Sequence, residues 1–321
     1  MKLREITIEL TQQCPNSCLY CSSLSSPSKK TFLQVEQIEK AIDDAVELGT
    51  RSISLSGGEP FLYSGFLRII NYIYKKGVEC YVYTSGITIS DGKPISIPVE
   101  NLESIKGKVT KLIVNIEAAD EVTYNMIMGT DFGGFQLMQT TVRDAISIGL
   151  NVEAHVVPMK LNFQQLPQII ALCAELSISR VSFLRLVVQG RALTNQRQIV
   201  LSDEETLFAK YLIKSGAKEY QSKIRLGIPF SDCLRKINCM TGTSKLDIRY
   251  DGNVYPCEAF KNDNLSNVIT AQSDSICDKS LKEIYQTSEY LNHVRRLLND
   301  FQSIDTCETC INQYYVKYGK H

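Results

Sequence analysis

The sequence predicts an α/β protein, a partial (β/α)6 TIM-like barrel followed by a small C-terminal α+β region rich in cysteine. Three observations carry this. Over residues 5–187 short apolar, β-branched runs alternate with stretches of helical periodicity, the pattern of parallel strands joined by right-handed crossovers. Six such units are present, where a closed barrel of this kind has eight. From about residue 237 the alternation gives way to hairpin-like strands, turns and clustered cysteines. The expected divisions are residues 1–200 for the barrel, 201–236 for a linking helical region and 237–321 for the cysteine-rich part.

Taken in order, residues 6–10 (Ile-Thr-Ile-Glu-Leu) form the first strand. A helix over 33–48 follows, because Leu33, Ile38, Ile42, Ala45, Val46 and Leu48 recur at mostly three- and four-residue steps and Gly49 stops it. Residues 52–56 make a second strand, and a helix over 64–76 ends at Gly77. Strands at 80–83 and 112–116, a helix over 135–148, a strand at 152–157, a helix over 165–176 and a strand at 181–186 complete the six units. The long connection 87–108, with Pro94 and Pro98, reads as surface loop plus one short helix over 98–105. Ser202 caps a helix that runs to about Tyr220, with Glu205 as its box partner. Asp251-Gly252 suits a tight primed turn between two short strands.

The 321 residues carry 35 basic and 35 acidic side chains, so no basic excess marks a nucleic-acid track and no acidic tail marks a solvating segment. No run is long and apolar enough to span a bilayer, and residues 1–5 lead into a strand without the look of a signal peptide. Eleven cysteines without a secretory signal argue for a reducing compartment, and for metal rather than disulfides. A cytoplasmic protein without nucleic-acid or membrane partners is expected.

The chemistry gathers at Cys14-Pro15-Asn16-Ser17-Cys18-Leu19-Tyr20-Cys21, a loop that leaves the first strand where Pro15 and Asn16 break regular structure. Thiolates at Cys-x3-Cys-x2-Cys spacing suit an iron–sulfur cluster or zinc. Three ligands are one short of a closed site and leave one position for a small molecule. Strand ends are where parallel α/β folds gather their ligands. The cysteine loop, Gly57-Gly58-Glu59-Pro60, Thr84-Ser85-Gly86 and Glu117 all follow strand ends and therefore share one rim.

The cysteine trio with Tyr20 before its third member, then Gly-Gly-Glu-Pro after the second strand, then Thr84-Ser85-Gly86 after the third, resembles the radical S-adenosylmethionine (SAM) enzymes. The resemblance implies that Cys14, Cys18 and Cys21 hold a [4Fe-4S] cluster whose open iron binds SAM. Reduction of that cluster cleaves SAM to a 5′-deoxyadenosyl radical. It further implies that Tyr20 packs near the adenine, that Gly57, Gly58, Glu59 and Pro60 receive the methionine end with Glu59 accepting from its ammonium, and that Ser85 meets the ribose. Asp120-Glu121, Tyr124-Asn125, Gly129 and Gly134-Phe135 resemble a pattern of peptide-modifying members. Glu117-Ala118 stands where many of these have Asp-Gly, and Met128 where they have arginine. Glu117, Arg185 and Arg191 are carried as SAM or substrate contacts.

In the last third, Cys239, Gly252 and Cys257 at Cys-x12-Gly-x4-Cys spacing, with Cys307-x2-Cys310, resemble the twitch domain, a shortened SPASM extension. The resemblance implies one auxiliary [4Fe-4S] cluster held by Cys239, Cys257, Cys307 and Cys310; zinc is the alternative. Cys80 and Cys173 read as packing residues, Cys233 as a substitute ligand for Cys239, and Cys277 is left unassigned. His155 either faces the pocket or packs in the core. Glu258, directly after Cys257, is the candidate base.

A fully ligated auxiliary cluster suits electron transfer, hence net oxidation. The expected function is oxidative crosslinking or dehydrogenation of a ribosomal peptide or protein, with a flavodoxin- or ferredoxin-type donor and a leader-peptide-binding protein as a separate chain. The alternatives are a dehydrogenase or epimerase of a sugar, aminocyclitol or other small metabolite, in which Cys233 or Cys277 would donate hydrogen, and, more distantly, a non-catalytic iron–sulfur redox protein.

Overall fold

A computed structural model describes residues 2–220, 223–227, 230, 239–262, 265–302, 304, 308 and 310–319. The barrel strands are β1 (Glu5–Thr11), β2 (Ser52–Gly57), β3 (Glu79–Thr84), β6 (Lys111–Asn115), β7 (Val152–Val156) and β8 (Arg180–Phe183), with β4 (Ile87–Ser90) and β5 (Lys93–Ser96) forming a separate hairpin. The six pair in parallel, as the alternation of elements requires.

The sheet does not stop at six. β9 (Ile224–Leu226) adds parallel to β8, and β10 (Lys245–Ile248) adds parallel to β1, with β11 (Val254–Tyr255) antiparallel beyond it. The order is β11-β10-β1-β2-β3-β6-β7-β8-β9. The hairpin around Asp251-Gly252 forms and belongs to the barrel's own sheet, but not through the expected primed turn: of the two residues only Gly252 takes positive φ, 89°, and its N–H donates to Arg249 O at 2.8 Å.

Each inner strand alternates. Ile6, Ile8 and Leu10 enter the apolar core, whereas Thr7 and Glu9 point to the other face. Helices cover the apolar face. α1 (Val35–Glu47) buries Ile38, Ala41, Ile42 and Ala45, and α2 (Phe66–Lys75) buries Phe66, Ile69, Ile70 and Ile73, both at the i, i+3, i+4, i+7 spacing of one helical stripe. α3 is Val99–Ile105, α4 Glu121–Met128, α5 Gly134–Ser147 and α6 Leu166–Glu175; two single turns, α7 (Arg191–Thr194) and α8 (Gln196–Ile199), precede α9 (Asp203–Glu219), which packs on α6. Cys80 and Cys173 are buried in this core.

The connection expected to be a surface loop contains the β4–β5 hairpin. Asp91 and Gly92 both take positive φ, 49° and 74°, the primed turn that matches strand twist. α4 was not expected from periodicity. It is marked instead by its ends: Asp120 accepts from the Thr123 N–H at 2.9 Å, and Gly129 closes it in the left-handed region. At α9 both arms of the capping box form, Glu205 N–H to Ser202 Oγ at 3.1 Å and Ser202 N–H to Glu205 Oε2 at 2.7 Å. Ser202→Ala is expected to cost about 1 kcal/mol in urea unfolding.

α10 (Leu281–Thr287) packs on α1, and the Lys282 N–H reaches Asp44 Oδ2 at 3.1 Å. α11 (Glu289–Gln302) and α12 (Ile311–Tyr318) complete the chain. Among the described residues no helix is long and apolar enough to cross a membrane.

Candidate active site

The polar faces of the strands enclose a chamber of about 460 Å³. Its wall takes Thr7 from β1, Ser56 from β2, Tyr83 from β3, Asn115 from β6, His155 from β7, Arg225 from β9 and Lys245 from β10. Residues from both outer reaches of the sheet thus line one space, so the sheet curls into an incomplete barrel. Cys14, Cys18, Tyr20 and Cys21 form part of its mouth, with Gly57, Gly58, Ser85, Arg191 and Glu258.

The cysteine loop is irregular, so its backbone polar groups must find partners elsewhere. The Ser17 and Leu19 N–H groups donate to the last carbonyls of α4, Met128 O at 3.1 Å and Ile127 O at 2.9 Å. Arg191 supplies the other side: Nε donates to Cys18 O and Nη2 to Ser25 O, both at 2.7 Å. Asn195 Nδ2 donates to Leu19 O at 2.9 Å. Arg191 is therefore a loop clamp as well as a wall residue. Gly129 is required there, since a Cβ would meet Ser17 O at 2.6 Å.

Gly57 and Gly58 lie on the chamber wall, but the backbone they approach is the chain's own. The Gly58 N–H donates to Thr11 O at 2.6 Å and the Glu59 N–H to Gln13 O at 2.8 Å. Glu59 departs from its expected role. It is fully buried off the wall, and its oxygens accept from Thr84 Oγ1 at 2.7 Å, Ser85 Oγ at 2.6 Å, Ser85 N–H at 2.9 Å and Phe61 N–H at 3.3 Å. Its carboxylate ties the second strand's loop to the third strand's end and fixes Ser85, which does line the chamber. Pro60 is buried and opens the single turn Pro60–Leu62.

Glu117 also lies behind the wall. Oε1 accepts from the Tyr20 hydroxyl at 2.7 Å and Asn115 Nδ2 at 3.2 Å, and Oε2 from the Val157 N–H at 2.8 Å. Burial pushes its pKa up to about 7 against the pull of those hydrogen bonds. The bond to the Tyr20 hydroxyl makes Glu117 a support for the cysteine loop.

Arg185 was expected at SAM or substrate; it belongs to the second cysteine set. It pairs with Glu308 at 2.7 Å, and its charge favours the thiolates of Cys310 and Cys239. Backbone N–H groups of Thr241 and Ile311 also favour the Cys239 thiolate, and that of Gln313 the Cys310 thiolate; Ile311 and Gln313 lie in the first turn of α12. The Cys257 thiol feels Cys310, and the Cys310 thiol feels Cys239. These three thiols form one neighbourhood; Cys307 and Cys233 lie outside the described residues. Cys277 is exposed.

His155 faces the chamber, edge-on to Tyr83 with ring centroids 5.3 Å apart. Burial, then Arg225 and Lys111, drive its pKa down to about 3, so it is neutral at pH 7. Glu258 reaches the wall from beside Cys257, accepting from Thr7 Oγ1 at 2.9 Å and pairing with Lys245 at 2.8 Å. Against the desolvation that opposes it, the Lys245 ammonium holds the Glu258 carboxyl below the usual carboxylate range.

Two observations test whether the first site suits an iron–sulfur cluster and its ligand. Both side-chain polar atoms of Asn16 and the Ser25 hydroxyl are buried without a partner among the described residues, and both residues border the chamber. Cys14 and Cys18 are thiols whose pKa burial pushes up, each raised further by a neighbouring cysteine. Such a set ionises when a cationic metal centre supplies the missing charge. The residues fit a thiolate-held metal centre with an adjoining polar ligand.

The sequence profile described as the radical SAM superfamily matches residues 8–173. The chain belongs to the radical SAM superfamily. A second profile, SPASM, described as an iron-sulfur cluster-binding domain, matches residues 239–311. The cofactors of this radical SAM protein are accordingly a SAM-binding [4Fe-4S] cluster, SAM and an auxiliary [4Fe-4S] cluster. The chain is 24% identical over 307 residues to the PqqA peptide cyclase of Ruegeria pomeroyi, covering 94% of this chain and 78% of that protein. Its fold is similar to Streptococcus suis SuiB bound to precursor peptide SuiA, with a TM-score of 0.72, 16% identity, and coverage of 92% of this chain and 67% of that one. It is also similar to anSMEcpe with bound AdoMet, with a TM-score of 0.69, 14% identity, and coverage of 97% and 87%.

Proposed function

We propose that this radical SAM protein installs an oxidative modification, a crosslink or a dehydrogenation, on a ribosomal peptide in the cytoplasm. One observation carries the reading: Cys14, Cys18 and Cys21 border the same chamber as Glu258, whose neighbour Cys257 belongs to the second cysteine set. A relative named as a peptide cyclase and a structural neighbour bound to a precursor peptide support a peptide as substrate.

Cys14, Cys18 and Cys21 would hold the SAM cluster, and Cys239, Cys257, Cys307 and Cys310 the auxiliary one. When bound, the first would supply the electron for reductive cleavage of SAM, and the second would accept the electron that the substrate gives up after losing a hydrogen atom. Tyr20, Asn16, Gly57, Gly58 and Ser85 shape the ligand's side of the chamber, with Arg191, Glu59 and Glu117 holding that side in place. Glu258, kept ionised by Lys245, takes the proton that the substrate sheds on oxidation. Electrons come from a flavodoxin- or ferredoxin-type donor.

The test is anaerobic reduction with SAM and a short peptide encoded beside this gene. The expected products are 5′-deoxyadenosine and a peptide lighter by two hydrogens; formation of neither overturns the reading. Glu258→Gln is expected to keep SAM cleavage while peptide oxidation falls about 100-fold, the size of a lost general base, followed by mass spectrometry.

A further inference from the structure

Lys261 lies four residues after Cys257 and is nearly fully buried on the chamber wall. Its ammonium meets Glu9 Oε1 of β1 and donates to Ser23 Oγ at 3.0 Å, two residues past Cys21. Ser23 Oγ in turn donates to Glu9 Oε1 at 2.6 Å. Beside it Asn262 Nδ2 donates to Ser22 O at 2.8 Å. The segment that follows an auxiliary-cluster cysteine thus grips the far end of the SAM-cluster loop.

A lysine is almost never buried without opposing charge. Here Glu9 supplies it. Asp247 of β10 lies beside the pair, but burial raises its pKa and favours its neutral form. Lys261 and Cys21 lie close enough for their charges to interact. Glu9 Oε2 and both oxygens of Asp247 lack hydrogen-bond partners among the described residues, so the Lys261–Glu9 pair is buried with little local screening. A cluster gains negative charge on reduction, and a fixed cation nearby favours that form while a fixed anion opposes it.

We infer that Lys261 and Glu9 are positioning residues that set the reduction potential of the SAM cluster, Lys261 raising it and Glu9 lowering it, while Lys261 ties the cysteine loop to the auxiliary domain. This rests on the assignment of Cys14, Cys18 and Cys21 to that cluster.

The test is an EPR-monitored potential titration of the reconstituted full chain, following the reduced signal that changes when SAM is added. Lys261→Met is expected to lower the potential, with the reduced-to-oxidised ratio at the wild-type midpoint falling about tenfold, a shift of about 59 mV for one electron. Lys261→Arg keeps the charge and stays close to wild type. Glu9→Gln shifts the potential the opposite way. A merely structural role would displace Lys261→Met and Glu9→Gln in the same direction, and that result, or an unmoved potential in both, overturns the inference. Should Lys261→Met fail to take up iron, Glu9→Gln decides by itself: a raised potential supports the inference, and an unchanged or lowered one overturns it. A wild-type protein with no SAM-responsive signal would instead sink the cluster assignment.

Discussion

Gly58→Ala is expected to abolish cluster binding and to destabilise the chain by more than about 4 kcal/mol. A Cβ at this position would lie 1.9 Å from Gln13 O, 2.6 Å from Gln13 C and 2.9 Å from Gln12 C. All three atoms are backbone, so no side chain can swing aside. The two segments are also bonded to each other here, through Gly58 N–H to Thr11 O and Glu59 N–H to Gln13 O. Forcing them apart breaks those bonds and displaces Gln13, the residue directly before Cys14. Gly77→Ala is the control. Gly77 also has positive φ, 68°, but a Cβ there meets nothing within 4 Å, so only the backbone penalty of about 1 kcal/mol applies. Iron and sulfide content after anaerobic purification, with urea unfolding of both variants, checks the contrast; a Gly58→Ala protein with full iron would refute the close-approach argument.

Glu117 is expected to make the protein less stable as pH rises from 5 to above 7. Its folded pKa, about 7, lies above the ordinary 4.5, so the folded state keeps a proton that the unfolded state gives up. The contribution is fully present below about 4.5 and is lost as pH climbs through about 7; for a shift of this size it is about 3 kcal/mol. Roughly half of it, about 1.4 kcal/mol, separates pH 6 from pH 8.5. Glu117→Gln keeps an acceptor for the Tyr20 hydroxyl and removes the titration. The variant should therefore gain on wild type by that amount between pH 6 and pH 8.5 in urea unfolding. Parallel stability curves would mean that Glu117 stays ionised beside Tyr20.

Much of the site was legible because its signals are local. Cysteine spacing, the Gly-Gly-Glu-Pro turn and the Ser202–Glu205 box each sit within a few residues, and the alternation of elements sets strand direction. Two further local signals were there to be read: Asp91-Gly92 marks the β4–β5 turn, and Asp120 with Gly129 brackets α4, the helix whose last carbonyls hold the cysteine loop. The polar alternation of Thr7-Ile8-Glu9 and Ser54-Leu55-Ser56 also belongs to strands with a polar chamber on one face, where parallel strands buried on both sides would read as continuous apolar runs.

What escaped the sequence depends on partners far away in the chain. The family resemblance, together with their places near strand ends, points Glu59, Glu117 and Arg185 at a ligand. Their side chains instead meet Ser85, Tyr20 and Glu308, separated from them by 26, 97 and 123 residues. Nothing in a strand-end position distinguishes a carboxylate that faces a cavity from one that braces the loop in front of it.

By itself the chain's order of residues determined that it is a parallel α/β barrel with thiols at its rim, because periodicity and ligand spacing are short-range properties. Only the tertiary structure decided that β10 pairs with β1, bringing Lys245, Glu258 and Lys261 to the chamber that holds Cys14, Cys18 and Cys21. The physical reason is that this pairing joins Thr7 to Asp247, 240 residues on, through backbone groups that every residue shares. Side-chain chemistry along the sequence leaves that register unspecified until the two strands fold together.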